Sequence, residues 1–137
     1  MPKIDTTALV RRAVEAIWNQ GDLAVADILF ASDYINHAGL ITNLVRGPEA
    51  IKVSAALYRT AFPDLQISIN ALTAKRDAVL LRWTARSPAH HGSLTGVIVC
   101  RIVGSQISES WAHWDQAGVQ ERLGLRPAGS SSTPATP

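Results

Sequence analysis

Hydrophobic spacing changes period once along this chain, and that change constrains the fold more than any single residue does. Up to Phe62 the apolar side chains recur at three- and four-residue intervals, and from Leu65 they alternate with polar ones. Helices first and antiparallel strands afterwards is the order of an α+β domain; a parallel α/β sheet would interleave the two.

In the first half, Val10, Ala13, Val14, Ile17 and Trp18 form a helical stripe behind Asp5-Thr6-Thr7, which can cap it, and Gly21 supplies a stop. Asp22 is placed to cap a short second helix in which Leu23, Ala26, Leu29 and Phe30 share a face, and Ser32-Asp33 breaks it. Gly47-Pro48-Glu49 opens a third helix, because proline in the first turn gives up no needed donor and the carboxylate suits the positive end of the helix dipole. Ile51, Ser54, Ala55, Tyr58, Ala61 and Phe62 lie along its inward side, Lys52 and Arg59 are expected to point away, and Pro63-Asp64 ends it.

In the second half, Leu65, Ile67, Ile69 and Ala71 alternate with Gln66, Ser68 and Asn70, the pattern of a half-buried strand. Three more strands are expected around 78–86, 94–103 and 106–114, separated by Lys75-Arg76-Asp77, Ser87-Pro88 and a tight turn at Gly104-Ser105. Asp115 can cap a last short helix reaching Leu123. From Pro127 the chain is Pro, Ala, Gly, Ser and Thr, so one domain over residues 1–126 and a disordered tail over 127–137 are expected.

With 137 residues and 47% apolar content, one real core can form. A net charge of +2 leaves no dense basic face for nucleic acid. Cys100, the one cysteine, sits in the apolar run Val97-Ile98-Val99 and reads as a buried thiol in a reduced compartment. The first residues lack a secretion signal and no window reaches membrane-spanning length, so a cytoplasmic protein is expected.

Four segments occur in order: Ala16-Ile17-Trp18-Asn19-Gln20-Gly21-Asp22, Tyr34-Ile35-Asn36-His37, Arg46-Gly47-Pro48-Glu49-Ala50-Ile51 and Glu109-Ser110-Trp111-Ala112-His113-Trp114-Asp115. Together they resemble the SnoaL-like polyketide cyclases over roughly residues 8 to 125. The resemblance implies the cone of nuclear transport factor 2-like and cystatin-like α+β barrel proteins: a strongly curved, mostly antiparallel sheet with three N-terminal helices enclosing a pocket, commonly as a homodimer through the sheet face. It leaves chemistry open, since the scaffold hosts cyclases, dehydratases, isomerases, epoxide hydrolases and non-catalytic domains.

The aldol-condensing members carry an acidic general acid/base directly after the position matching Trp111, and here that position is Ala112. Their helper histidine falls on Ile98. Counting outward from a two-residue turn at Gly104-Ser105 puts Ile98, Cys100, Ile102, Ile107, Glu109, Trp111 and His113 on one face and Ala112 on the other. A bulge near Ser108 or Glu109 would bring positions 98 and 112 to the same side.

Proton transfer near neutral pH points to His37, which follows Tyr34 and Asn36, and to His113 and Asp115, which flank Trp114. Asp115 has helix capping as its simpler role. Trp18, Tyr34, Tyr58, Trp83 and Trp111 are the aromatics that could line a pocket for a flat apolar ligand, with core packing the plainer explanation for any one of them. Adjacent His90 and His91 would point to opposite sides of a strand, and the histidines lack HxH or HExxH spacing, so no metal is expected. No phosphate loop, nucleophile elbow or dinucleotide fingerprint occurs, so no cofactor is expected either. The expected function is a cofactor-independent cyclase, isomerase or dehydratase working by acid-base chemistry on a small hydrophobic molecule. A non-catalytic ligand-binding or dimerisation domain is the alternative, and an epoxide hydrolase, which would need an Asp-Arg-Asp set around a water, a weaker one.

Overall fold

The computed structural model describes residues 5–37, 45–90 and 92–114. The predicted helix after Asp115 and the tail lie outside them. The first helix is α1 (Thr6–Arg12), which runs on as a π-helical stretch, Ala13–Asn19. Asp5 caps it as its position predicts, accepting from the Thr7 and Ala8 amides at 3.1 Å each. At the other end the Arg59 guanidinium donates to the Trp18 and Asn19 carbonyls at 2.7 and 3.0 Å. Arg59 therefore does not point away; it satisfies carbonyls that the helix end leaves open.

Asp22 makes no side-chain cap, and the second helix is a single 3₁₀ turn, Leu23–Val25, leading into α2 (Ala26–Leu29). A strand expected by none of the sequence patterns follows directly: β1 (Phe30–Asn36). Ser32 and Asp33, which the sequence reads as a break, lie inside it; its pairing jumps register between Phe30 and Ile35, so no alternation marks the strand. After α3 (Pro48–Ala61) come β2 (Gln66–Lys75), β3 (Ala78–Ser87), β4 (Gly92–Val103) and β5 (Gln106–His113).

The strands form one sheet in the order β1-β5-β4-β3-β2, antiparallel throughout except for the parallel β1–β5 pair. It is open, with β1 and β2 at the edges, rather than a closed barrel. Register shifts in β2 between Ile69 and Ala71, and in β5 opposite Arg101 and Ile102, supply the bends that let a sheet wrap around helices.

The helices cover one face. Val10, Val14, Ile17, Leu29, Tyr34, Ile51 and Ala55 meet Val79, Leu81, Cys100, Ile102 and Ile107 in the main core. A second cluster, Tyr58, Phe62 and Leu65, lies beside it with Trp18, Ala85 and Trp114 packed against it. Asn19 ties the first helix to β2: its side chain accepts from the Ile67 amide at 2.6 Å and donates to the Ile67 carbonyl at 2.9 Å, as a neighbouring strand would. No helix among the described residues is long and apolar enough to cross a membrane.

Candidate functional site

Which side chains face the helices is decided by one residue of β5. Ile102 pairs with Ile107 and Arg101 with Glu109, so Ser108 is the extra residue of a bulge, and its hydroxyl donates to the Arg101 carbonyl at 3.4 Å. A bulge reverses the facing of everything beyond it. Ser110 and Ala112 turn inward opposite Cys100 and Ile98, while Glu109, Trp111 and His113 turn outward opposite Arg101, Val99 and Val97. The bulge that would reconcile positions 98 and 112 is thus present, and the two positions that the resemblance matches to the acid/base pair of the aldol cyclases lie opposite each other on the inner face as Ile98 and Ala112.

The inner face ends in a chain of aromatic rings. Trp18 lies 5.7 Å from Tyr58 between ring centroids, Tyr58 lies 5.5 Å from Trp114, and Trp114 meets Trp83 edge-on at 5.8 Å. They come from the first helix, α3, the end of β5 and β3, so the site needs every layer of the fold. The Trp83 ring lies against Gly96, where a Cβ would run into its six-membered ring. Glycine at 96 is what gives the indole room.

Polar groups on this side are few. Tyr34 and Ser110 satisfy each other, hydroxyl to hydroxyl, at 2.6 Å in full burial, which pushes the Tyr34 phenol above its ordinary value. Burial likewise pushes the Cys100 thiol up to about 12, so it stays protonated and is no nucleophile. The Tyr58 hydroxyl is different: the residue is 8% exposed, and its oxygen is buried with no hydrogen-bond partner.

The outer face carries a second constellation. His37 Nε2 lies 2.9 Å from Glu109 Oε2, and its ring stacks on Trp111, 4.9 Å between centroids and 5° between planes. Arg101 reaches the other Glu109 oxygen at 3.1 Å and Asp77 at 3.5 Å. The His37 hydrogen bond, then Arg101, holds the Glu109 carboxyl below the usual carboxylate range.

The structure therefore brings together Trp18, Tyr58 and Trp83 of the aromatics named from sequence and locks Tyr34 into the core. It sets Trp111 on the outer face, 37% exposed, with His37 and His113 on the same side. Trp111 is thus removed from the interior lining, because the Ser108 bulge turns it over. Asp115 lies outside the described residues. Trp114 was missed: only with the bulge counted does it face inward. The acid-arginine-acid set that an epoxide hydrolase would want does occur, as Asp77, Arg101 and Glu109, but on exposed outer surface rather than around an enclosed water. Among the described residues no cluster of His, Cys, Asp or Glu could hold a metal ion.

Solved structures share this architecture. TsrD from Streptomyces laurentii is 17% identical, with 92% of this chain and 99% of that one covered at a TM-score of 0.72. IdmH, a proposed polyketide cyclase from Streptomyces antibioticus, is 22% identical over 88% of this chain and 99% of its own, with a TM-score of 0.71. A cystatin-fold protein from Novosphingobium aromaticivorans is 14% identical, covering 81% and 99%, with a TM-score of 0.67. These likenesses establish the SnoaL and cystatin class of fold. No curated protein matches the chain. The family model for SnoaL-like polyketide cyclases matches residues 8–123, and the chain belongs to that family.

Proposed function

We propose that this protein is a cofactor-independent cyclase-type enzyme that holds a small, flat, polyketide-like molecule at the aromatic end of its cone and promotes ring closure by acid-base chemistry. The observation that carries the reading is the chain of rings Trp18, Tyr58, Trp114 and Trp83 between helices and sheet. Family membership supports a cyclase-type function. Aromatic walls offer a flexible carbonyl-bearing chain stacking surfaces that favour its folded conformers, and bringing two ends of one molecule into reaction geometry is worth several kcal/mol of barrier by itself, up to about 7–11 kcal/mol in the best cases.

For the proton-transfer step this reading takes Asp115 over His37 and His113. Those histidines stand on the far side of the sheet from the rings, whereas Asp115 directly follows Trp114 in sequence. The same reading assigns the outer face, with half-exposed Leu80 and Trp111 among arginines, to contact with a second copy of the chain. Light scattering that finds only monomer would remove that assignment.

The test of the cyclase reading is incubation with a linear poly-β-ketone thioester analogue without added cofactor, followed by separation of cyclised products. Ring closure above the spontaneous rate is expected, strongly reduced by Trp83→Ala and Asp115→Asn and unaffected by His37→Ala. Product formation at the spontaneous rate, or loss of turnover in His37→Ala alone, would contradict it.

A further inference from the structure

We infer that the Tyr58 hydroxyl is the hydrogen-bond donor of the site, and that it selects flat apolar ligands carrying a carbonyl oxygen over equally flat hydrocarbons. The inference rests on the proposed reading of the aromatic end as a ligand site and adds what distinguishes one ligand from another there.

Tyr58 is the one described side chain whose buried polar atom has no partner. A hydroxyl withdrawn from water and left unbonded carries an uncompensated desolvation penalty, so native cores rarely keep one without a use. The remedy elsewhere in this interior is visible: Tyr34 meets Ser110 at 2.6 Å. The apolar side chains clustered with Tyr58 include Trp18, Trp114, Phe62 and Leu65, and no described group bonds its oxygen. Phenylalanine there would keep the ring contacts and shed the penalty. The oxygen is thus what distinguishes tyrosine from its cheaper isostere at this position.

Its chemistry is one-sided. Burial pushes the phenol above its ordinary value, which keeps the proton on it at any working pH. A protonated phenol facing an apolar ligand donates, and the acceptor a polyketide-like molecule presents is a carbonyl or enolate oxygen. Because nothing in the described interior competes for that proton, the bond to ligand replaces no internal bond. A hydrocarbon of the same shape leaves the hydroxyl unbonded, and sites with a buried polar group discriminate against ligands that fail to pair it.

The experiment uses the full chain, wild type and Tyr58→Phe, titrated with 9-fluorenone and with fluorene, two tricyclic probes of nearly equal shape. Binding is read by tryptophan fluorescence, and the carbonyl stretch of bound fluorenone by infrared difference spectroscopy. Wild type is expected to bind fluorenone roughly tenfold more tightly than fluorene, about the worth of one neutral hydrogen bond. Its carbonyl stretch should be shifted to lower frequency. In Tyr58→Phe the preference and the shift should both vanish, the fluorene affinity should stay the same, and the melting temperature should not fall.

A preference that survives in Tyr58→Phe, or equal weakening of both probes, overturns the donor assignment. Equal binding of the two probes to wild type also overturns it while leaving the aromatic end as a ligand site. Failure of wild type to bind either probe overturns that reading and this inference together.

Discussion

A single backbone angle, φ of +77° at Gly47, fixes where α3 begins. Its amide donates to the Tyr34 carbonyl at 2.8 Å, and a Cβ at this position would lie 2.5 Å from the Ser32 carbonyl oxygen. Gly47→Ala should therefore cost on the order of 1–3 kcal/mol in a urea titration, both from the left-handed angle and from the backbone clash. A cost within error of zero would show that the α3 start can relax. At Glu109 the relevant effect is protonation. Its carboxyl is depressed in the folded state, so the stabilisation it gives is present above the ordinary carboxylate value of about 4.3 and disappears as pH falls through the lower folded value. The stability difference between wild type and Glu109→Gln should accordingly shrink as pH falls from about 4 toward 3. A difference that grew between about pH 4 and 3 would contradict the hydrogen bond with His37 and the ion pair with Arg101.

At the scale of elements, the bond pair between Asn19 and Ile67 joins the first helix to the edge of the sheet and sets the height at which Trp18 meets Tyr58. Asn19→Ala should lose about 1–3 kcal/mol of stability, since it leaves two half-buried backbone groups unpaired. It should also alter near-ultraviolet circular dichroism, where tryptophan packing is read. An unchanged spectrum would mean that Trp18 is positioned by packing alone. Most elements here were legible in the sequence: α1, α3 and β2 to β5 stand where apolar spacing, capping residues and turn residues put them. β1 was not, because a seven-residue edge strand with a register jump at Ser32-Asp33 has no period to detect. The bulge at Ser108 was legible only as a condition. One inserted residue carries no compositional signal, yet it decides which residues of β5 face the helices.

For the whole molecule, the site illustrates why residue types alone mislead. Among the described residues His37, Glu109, Trp111 and His113 form the group richest in titratable and aromatic side chains, and they share the outer face. The inner face pairs Ile98 with Ala112 and ends in tryptophans and a tyrosine. From sequence, Trp18, Tyr58 and Trp83 could be named as candidates, but their convergence with Trp114 depends on the curvature of the sheet and on where α3 docks. That the Tyr58 oxygen lacks a partner depends on every neighbour at once. An inner face that is apolar around its aromatic end, with charge gathered on the back of the sheet, is what the proposed catalysis by conformational restraint needs.

The most direct measurement of that claim is a crystal structure of the protein soaked with 9-fluorenone. Density stacked among Trp18, Tyr58, Trp83 and Trp114, with the carbonyl oxygen about 2.7–3.0 Å from the Tyr58 hydroxyl, is the expected result. Density on the outer face against Trp111 and His37, with the aromatic end closed on itself, would contradict it.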